Sequence, residues 1–282
     1  DNFTKENNIF ENISPRLALS LIISEDKKWK FNFATGRYFK IPTYTSLGFK
    51  NFDNVFLNKS SKYTRSDHVV GGFEFNWTES SRFTFEAFYK KYNNYPVSKV
   101  DGVSLANKGA DFEVLGNEEI LTIGKGKSYG LEFLYQQKLK DNFYGILSYT
   151  FFYSKFSGLN KIYLPSVWDN RHLLSFTGGY KLKKNWELST KIRFTGKTPF
   201  SPIDIASSTQ SYPEIIFDYS QLGNYYLNDF TKLDVRVDKR WNFKSTSMNF
   251  YIDIENLLMD EIPVPPEYGL QRDGNLNIID PR

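Results

Sequence analysis

The sequence lacks several features that would place it in a common functional class. None of its 282 residues is cysteine, which excludes a disulfide framework and any metal site built from thiolates. Only two residues are histidine, so a transition-metal centre would have few ligands. No stretch of about 18 apolar residues occurs, which excludes transmembrane helices. The net charge of +4 is too small to indicate nucleic-acid binding, so no nucleic-acid partner is expected.

Aromatic residues, in contrast, are abundant, with 26 Phe and 19 Tyr, and they recur at every second position. The stretch "HLLSFTGGYKLKKNWELSTKIRF", residues 172–194, shows this on both sides of the polar turn KKN. Serine, threonine, lysine, glutamate and arginine fill the alternate positions. A period of two interrupted by a short polar turn predicts two antiparallel strands joined as a hairpin. One face of this hairpin is apolar, and the other is charged.

Ten such segments follow one another, and they fall into five pairs. We expect connections of about three to five residues within each pair. The connections between pairs are long, and they span residues 38–67, 93–127, 155–170 and 196–230. Short periplasmic turns that alternate with long extracellular loops are typical of bacterial outer-membrane barrels. A soluble sandwich or propeller is the alternative fold, but it would use shorter loops and more valine and isoleucine.

The strand pattern also predicts which side chains face lipid. Strands of ten or eleven residues, tilted by about 45°, would cover about 25 Å of membrane. Four tryptophans lie beside the short turns, where an interfacial aromatic girdle is expected: Trp29, Trp77, Trp186 and Trp241. The hairpin of residues 172–194 should place six side chains toward lipid: Leu174, Phe176, Tyr180, Leu188, Ile192 and Phe194. Its inward side chains should be Lys181, Glu187, Lys191 and Arg193.

Register and ion pairing follow from the same pattern. The short turn should set Tyr180 opposite Leu188 and Phe176 opposite Ile192. The ninth segment carries alternating charges on its inward face, and we expect Arg236 to lie within ion-pair reach of Asp253 on the tenth, or of a neighbouring carboxylate.

Five stretches together resemble the C-terminal half of the barrel of a TonB-dependent outer-membrane receptor: "GRYFKIPTYTSL", "SYGLEFLYQQKL", "LPSVWDNRHLLSFTGGYKL", "RFTGKTPFSPID" and "FTKLDVRVDKRWNFKSTSMNFYIDIENLL". The resemblance implies an all-β fold, a transmembrane antiparallel barrel segment of about ten strands within a 22-stranded barrel. It implies that residues 1–282 are one part of that barrel domain, with the plug domain and the closing strand absent. It also implies that the protein resides in the cell outer membrane.

Strand phase leads to the same expectation. If short turns are periplasmic, the first strand descends from the cell exterior and the tenth returns to it. A complete barrel of this family keeps both termini in the periplasm, so at least one strand should be missing at each end. We therefore expect an open, curved sheet, or edges paired with another polypeptide, with these ten as strands twelve to twenty-one.

The long loops contain the candidate ligand-binding residues: Arg37, Tyr38, Tyr44, Trp168 and Arg171. Aromatic rings with a few polar groups suit capture of a small ligand, although packing of the loops on each other over the barrel mouth would use the same residues. His68 and His172 stand at the outer ends of strands, where we interpret them as interfacial residues, not catalytic ones. We therefore expect no enzyme activity, no cofactor and no resident metal.

Two functional hypotheses remain. The resemblance implies an active-transport receptor that takes up a scarce nutrient, with energy delivered by the TonB–ExbB–ExbD complex through the plug. Its partners would be the lipid bilayer of the outer membrane and a small nutrient ligand, such as an iron chelate, a vitamin, a glycan or a peptide. The alternative is a barrel that works without TonB, as a passive porin, an adhesin or a membrane enzyme.

Overall fold

The computed structural model describes residues 9–108, 115–211, 214–266, 270–272 and 278–281. The strands are β1 (Arg16–Ile22), β2 (Trp29–Lys40), β3 (Thr64–Thr78), β4 (Ser81–Ser98), β5 (Ile120–Lys140), β6 (Phe143–Ser157), β7 (Tyr163–Pro165), β8 (His172–Leu182), β9 (Trp186–Thr195), β10 (Pro199–Phe200), β11 (Tyr225–Tyr226), β12 (Phe230–Asn242), β13 (Ser247–Ile254), β14 (Leu270–Arg272) and β15 (Ile278–Pro281). The helices are α1 (Tyr44–Gly48), α2 (Leu105–Lys108) and α3 (Ile205–Gln210), with 3-10 turns at Ile9–Asn12, Lys183–Asn185 and Tyr219–Gln221. In the described part of the chain, no helix has the length and apolar character needed to cross a membrane.

One antiparallel sheet of 11 strands dominates the fold. Ten of its strands stand in the order β1-β2-β3-β4-β5-β6-β8-β9-β12-β13, and β7 adds to the end of β6. Two small sheets, β10-β11 and β14-β15, lie outside it. The sheet is open, because β1 and β13 each have a single neighbour among the described strands. The all-β prediction, the ten segments and the open sheet are confirmed.

The short connections differ in length from the prediction. They comprise residues 23–28, 79–80, 141–142, 183–185 and 243–246, so two of the five are only two residues long. In one of these, Asp141 and Asn142 have φ angles of 50° and 70°. Positive φ at both central residues is the type I′ geometry, whose twist matches that of the flanking strands. The strands therefore run closer to the turn than the sequence pattern indicated.

Strand lengths also correct the prediction of ten or eleven residues. β4 has 18 residues and β5 has 21, and both continue into stretches that we expected to be loops. At about 3.3 Å per residue, β5 is about 70 Å long, far more than a tilted strand needs to cross lipid. β1 is shorter than expected and begins at Arg16, because Pro15 before it has no N–H to donate to the ladder.

The predicted register of the 172–194 hairpin is confirmed. Tyr180 stands opposite Leu188, and Phe176 stands opposite Ile192. We call the face with this parity the outer face, and the alternate face the inner face. The four tryptophans beside the short turns lie on the outer face and are 38–58% exposed. Large apolar side chains remain exposed along the outer face, as expected of a surface that meets lipid: Leu19, Phe73, Phe85, Leu131, Leu188 and Ile252.

The buried core lies at the end of the sheet that carries the long connections. We call this packed region the loop cap, residues 41–63, 97–108, 115–120 and 156–171. The buried apolar side chains of the described residues lie in it, with one from the 196–229 connection: Leu47, Val97, Val103, Leu105, Ala106, Ile120, Phe156 and Leu222. The long connections therefore form a folded layer against the ends of β4, β5 and β6, where Val97, Ile120 and Phe156 are buried.

An arginine scan of neighbouring positions on β6 tests the assignment of the two faces. Leu147 is on the outer face, in the row of Phe176 and Ile192, and it lies about 9 Å along the membrane normal from Phe143, where β6 leaves its short turn. Leu147→Arg would place a charge near the bilayer midplane, and we expect it to lower the free energy of unfolding in lipid vesicles by about 2–4 kcal/mol.

Ser148→Arg is the matched control, because Ser148 has the same depth and faces inward between Leu134 and Ser175. We expect its effect to stay below about 1 kcal/mol. Urea titration of the full-length protein measures both values. Equal effects at the two positions, or a larger effect of Ser148→Arg, would contradict the face assignment.

Candidate functional site

Five aromatic rings meet on the inner face, directly below the loop cap. We call them the inner aromatic cluster: Tyr38, His68, Tyr92, Tyr95 and Phe156. The ring centroids of Tyr38 and His68 are 4.6 Å apart, and those of Tyr92 and Phe156 are 5.2 Å apart. Tyr95 contacts Phe156 at 4.5 Å. Tilted rings at these separations pack favourably and present a broad apolar surface with hydroxyl and imidazole groups at its edge.

Local sequence explains why these rings can meet. Gly126 stands between Tyr92 and Phe156 in the register of β4, β5 and β6. A Cβ atom at Gly126 would lie 2.3 Å from the Phe156 ring, so only glycine leaves space for that ring. Across the sheet, Nε2 of His68 lies 2.6 Å from Oγ of Ser66, which fixes the imidazole on the inner face.

A charged wall covers the inner face near β13. The guanidinium of Arg236 donates two hydrogen bonds of 2.8 Å to Asp238, and its Nη1 lies 3.9 Å from Oδ2 of Asp253. Lys232 lies 2.9 Å from Glu255. A shallow cavity of about 280 Å³ is lined by four of these groups, Lys232, Arg236, Asp253 and Glu255. The predicted pairing of Arg236 with Asp253 is confirmed, but Asp238, two residues along the same strand, is the closer partner.

A lysine joins two loop segments within the loop cap. Nζ of Lys108 lies 2.5 Å from Oδ2 of Asp101 and 2.6 Å from Oε1 of Glu118. Burial lowers the pKa of Lys108, but hydrogen bonds to the two carboxylates outweigh burial and raise the pKa above its usual value. Oγ of Ser98 also donates to Glu118. The carboxylates of Asp101 and Glu118 around the Lys108 ammonium therefore hold α2 against the end of β4 and the beginning of β5.

An asparagine fixes the other side of the loop cap. Nδ2 of Asn58 donates to the carbonyls of Ser46 and Glu118, each at 2.7 Å, and its Oδ1 accepts from the backbone of Ile120 at 2.9 Å. The residue is 1% exposed, so its side chain replaces water for three buried backbone groups. The loop cap is therefore held at a fixed position above the inner aromatic cluster.

The five residues that the sequence indicated as ligand contacts do not share one face. Tyr38 belongs to the inner aromatic cluster, and Tyr44 and Trp168 lie in the loop cap, 70% and 51% exposed. Arg37 lies on the outer face, where its Nε donates to Asp67 at 2.6 Å. Arg171 stacks on Tyr153 at 3.9 Å, again on the outer face.

Asp169, beside Arg171, is fully buried, and one of its oxygens accepts a 3.0 Å hydrogen bond from Arg171. Burial raises the pKa of the Asp169 carboxyl above its usual value, and this effect exceeds the opposing effect of Arg171. The Asp169–Arg171 pair therefore fixes the turn that leads into β8 at His172.

The two histidines do not assemble with a carboxylate into a catalytic array. His68 has Ser66 beside it, but Asp67 points to the opposite face and binds Arg37 and Arg65. His172 bonds to the hydroxyl of Tyr149 at 2.8 Å. Over the described ranges, no group of three His, Asp or Glu side chains has the geometry of a metal site.

Sequence reasoning missed Tyr95 and Phe156, because residues 93–127 and 155–170 were expected to be loops. It also missed Tyr92, which lies just beyond the expected end of the fourth segment. Extending the period of two beyond the expected strand ends would have placed Tyr92 on the inner face with Lys90, and Phe156 there with Ser154. Tyr95 could not be placed in this way, because bulges interrupt the pairing of β4 with β5 on both sides of it.

Two separate lysine-to-methionine variants test the role of Lys108. Lys108→Met would leave two partly buried carboxylates without their cation, and we expect the free energy of local opening to fall by about 1–3 kcal/mol. Hydrogen exchange at the amides of Gly102 and Asn107 would report it. Because the pKa of Lys108 is raised, the stabilisation is fully present below the ordinary value of 10.5 and is lost as pH rises through the raised pKa.

Lys99→Met is the control, since Lys99 makes an equally short pair with Glu119, 2.7 Å, but its side chain is 53% exposed. Exposed pairs contribute about 0–1 kcal/mol. Protection that falls equally in the two variants would contradict a special role for Lys108.

Comparison with known proteins gives the following matches. The family model described as "TonB dependent receptor-like, beta-barrel" matches residues 1–257. No curated protein sequence matches the chain. The ferripyoverdine receptor of the outer membrane of Pseudomonas aeruginosa is 12% identical, with a TM-score of 0.60 over 87% of this chain and 29% of the receptor.

Two further solved structures are similar. The outer membrane transporter YddB from Escherichia coli is 13% identical, with a TM-score of 0.58 over 88% of this chain and 37% of the transporter. The ferric citrate transporter FecA is 14% identical, with a TM-score of 0.59 over 87% of this chain and 33% of the transporter. This chain thus spans about a third of the length of each solved receptor, and at these identities the likeness shows the fold. The family match over residues 1–257 goes further, and the chain belongs to the TonB-dependent receptor-like β-barrel family of the bacterial outer membrane.

Proposed function

We propose that this chain is part of an outer-membrane receptor that imports a scarce nutrient with energy from the TonB system. The family match over residues 1–257 is the observation that carries the proposal. The sheet adds a physical reason, because its inner face is charged and hydrated while its outer face is apolar, as a transport wall in lipid requires. A plug domain would connect the TonB–ExbB–ExbD complex to the charged wall around Arg236.

The open sheet suggests how this chain sits in the complete barrel. β1 and β13 each leave one edge of backbone N–H and C=O groups unpaired among the described strands. Each unpaired group costs several kcal/mol in hydrocarbon, so both edges need partner strands. In this proposal residues 1–282 form one part of a 22-stranded barrel domain, and further strands pair with β1 and β13.

The inner aromatic cluster and the loop cap would form the ligand-contacting surface. Tyr38 and Tyr92 supply rings beside the inner face, while Tyr44 and Trp168 stand exposed in the loop cap above. The guanidinium carbon of Arg16 lies 4.5 Å from the Tyr38 ring, which places a positive charge at the same surface. Rings flanked by a cation suit a compact anionic ligand with aromatic or planar parts.

A ferric chelate fits this description, with the iron carried as cargo. Two of the similar receptors are named for such ligands, ferripyoverdine and ferric citrate. In this proposal, the chelate rests on the inner aromatic cluster before the plug moves, and Arg16 offsets part of its negative charge.

Uptake measurements test the transport proposal. A strain without this receptor should grow more slowly on limiting iron when a ferric chelate is the sole iron source, and the full-length gene should restore growth. Uptake of the radiolabelled chelate should stop when a protonophore collapses the proton gradient. Uptake that continues after the collapse would indicate a passive porin, and unchanged growth on every ferric chelate would contradict the ligand class.

A tyrosine pair tests the ligand surface. Tyr92→Ala removes a central ring of the inner aromatic cluster, and a well-packed aromatic contact is commonly worth more than about 1 kcal/mol. We therefore expect the Kd of the imported chelate to rise by about fivefold or more. Tyr89→Ala, three residues earlier on the outer face, is the control and should leave Kd unchanged. Equal losses in both variants would exclude the inner aromatic cluster as the binding surface.

A further inference from the structure

A row of cations crosses the outer face at the end of the sheet that carries the loop cap. Arg37 stands opposite Asp67, Asp67 opposite Lys91, Lys91 opposite Lys127, and Lys127 opposite Lys155. Directly opposed residues on neighbouring strands share a face, so all five side chains project to the outer side of β2 to β6. We call these five residues the outer basic row.

The position of the row relative to the apolar band is fixed by the register. Two residues toward the short turns, the same strands carry Thr35, Val69, Tyr89, Tyr129 and Tyr153 on the outer face, again directly opposed. The tyrosine rings of neighbouring strands stack with centroids 6.4 and 5.2 Å apart. With a rise of about 3.3 Å per residue and a tilt of about 45°, the row lies about 5 Å beyond this tyrosine belt. Because the strands are tilted, neighbouring members of the row differ in depth by about 3 Å, so the three lysines Lys91, Lys127 and Lys155 span about 7 Å along the membrane normal. Interfacial tyrosines mark the level of lipid headgroups, and the lysines lie just beyond that level, within the headgroup region.

Among the described residues, the carboxylates beside the row balance only part of its positive charge. Asp67 is its only carboxylate, and Arg37 and Arg65 lie 2.6 and 3.2 Å from it. In the described part of the chain, no carboxylate lies within 4 Å of the lysine amines of Lys91, Lys127 or Lys155. When Arg65 is counted with the row, one carboxylate, that of Asp67, is accompanied by five cations: Arg37, Arg65, Lys91, Lys127 and Lys155.

Three lysines directly opposite one another on adjacent strands repel, which is unfavourable unless an anion lies between them. Neighbouring strands are about 4.8 Å apart, so the three Cα atoms fall within about 10 Å. Aromatic faces hold two of the amines over the outer surface, with Lys127 Nζ 4.7 Å from the Tyr163 ring centroid and Lys155 Nζ 5.9 Å from that of Tyr153. Arg171, stacked on Tyr153, stands at the end of the row together with its ion-pair partner Asp169, which also interacts electrostatically with Lys155.

We propose that the outer basic row binds the phosphate groups of a phosphorylated glycolipid in the outer leaflet. The proposal rests on the outer-membrane placement proposed above. A doubly charged phosphate accepts hydrogen bonds from several lysines at once and removes their mutual repulsion. The acyl chains of the lipid lie against the tyrosine belt and the apolar band below it, which holds the phosphate at the depth of the row. Because the phosphate is covalently part of the lipid, its concentration beside the row is higher than that of free phosphate in solution.

Binding of defined lipids to the full-length receptor in detergent tests this assignment. Native mass spectrometry would compare diphosphorylated lipid A, the same lipid without phosphates, and inorganic phosphate. We expect the phosphorylated lipid to bind at least about tenfold more tightly than the dephosphorylated one. The triple variant Lys91→Gln, Lys127→Gln, Lys155→Gln should lose this preference while keeping the far-ultraviolet circular dichroism of a folded barrel.

The control is a triple variant with the same loss of charge on the inner face, Lys90→Gln, Lys181→Gln, Lys191→Gln, and it should keep the preference. Equal binding of the two lipids by the wild type would overturn the proposal, as would equal losses in both triple variants. Inorganic phosphate that displaces the lipid at equal concentration would show a free-anion site and overturn the lipid assignment. Membrane fractionation and chelate uptake test the transport proposal separately from the lipid proposal. A receptor that resides in the outer membrane and imports its chelate, but shows no lipid preference, would contradict the lipid proposal alone.

Discussion

The hydrogen-bond ladder between neighbouring strands is the interaction on which the rest of the structure depends. A sheet in hydrocarbon has no water to satisfy its backbone groups, so every strand inside it must be paired along both edges. The continuous order from β1 to β13 meets this requirement for every strand except the two at the edges. Side chains are then free to serve other purposes, because backbone pairing, and not a buried core, holds the strands together.

This freedom explains where the molecule places its packed core. In a soluble domain the faces of a sheet are covered by other elements, whereas here one face meets lipid and the other meets a hydrated lumen. The residues that do become buried, such as Leu47, Val97 and Leu105, lie in the loop cap. Tertiary packing is therefore concentrated in the long connections, and it is reinforced there by Lys108 and Asn58.

The period of two predicted most of the sheet, because successive side chains of every strand alternate between the outer and the inner face. It placed ten strands, set Tyr180 opposite Leu188, and brought Arg236 to Asp253. It failed where that rule stops applying. Beyond the membrane, strand length depends on tertiary packing, and on β4 the alternating pattern reaches only to Tyr92, before the bulges, although the strand continues to Ser98.

The candidate site was less predictable than the sheet, since long-range contacts decide it. Composition indicated aromatic and basic residues near the mouth, and Tyr38 does lie in the inner aromatic cluster. Its neighbour Arg37 faces the other way, because adjacent residues of a strand point to opposite faces. Nothing local showed that β2 continues to Lys40, so these two side chains were expected at the same surface.

The opposite directions of Arg37 and Tyr38 have an evolutionary consequence. Each long strand interleaves two sets of residues that contact different surroundings, and a substitution in one set leaves the other untouched. As far as Tyr92, where the pairing of β4 becomes irregular, changes at even positions of β4 alter the inner face, while changes at odd positions alter the outer face. A lineage can therefore change its inner face without losing the fit of its outer face to lipid. An insertion of one residue is the change that such a strand tolerates least, since it exchanges the two sets over the whole length beyond it.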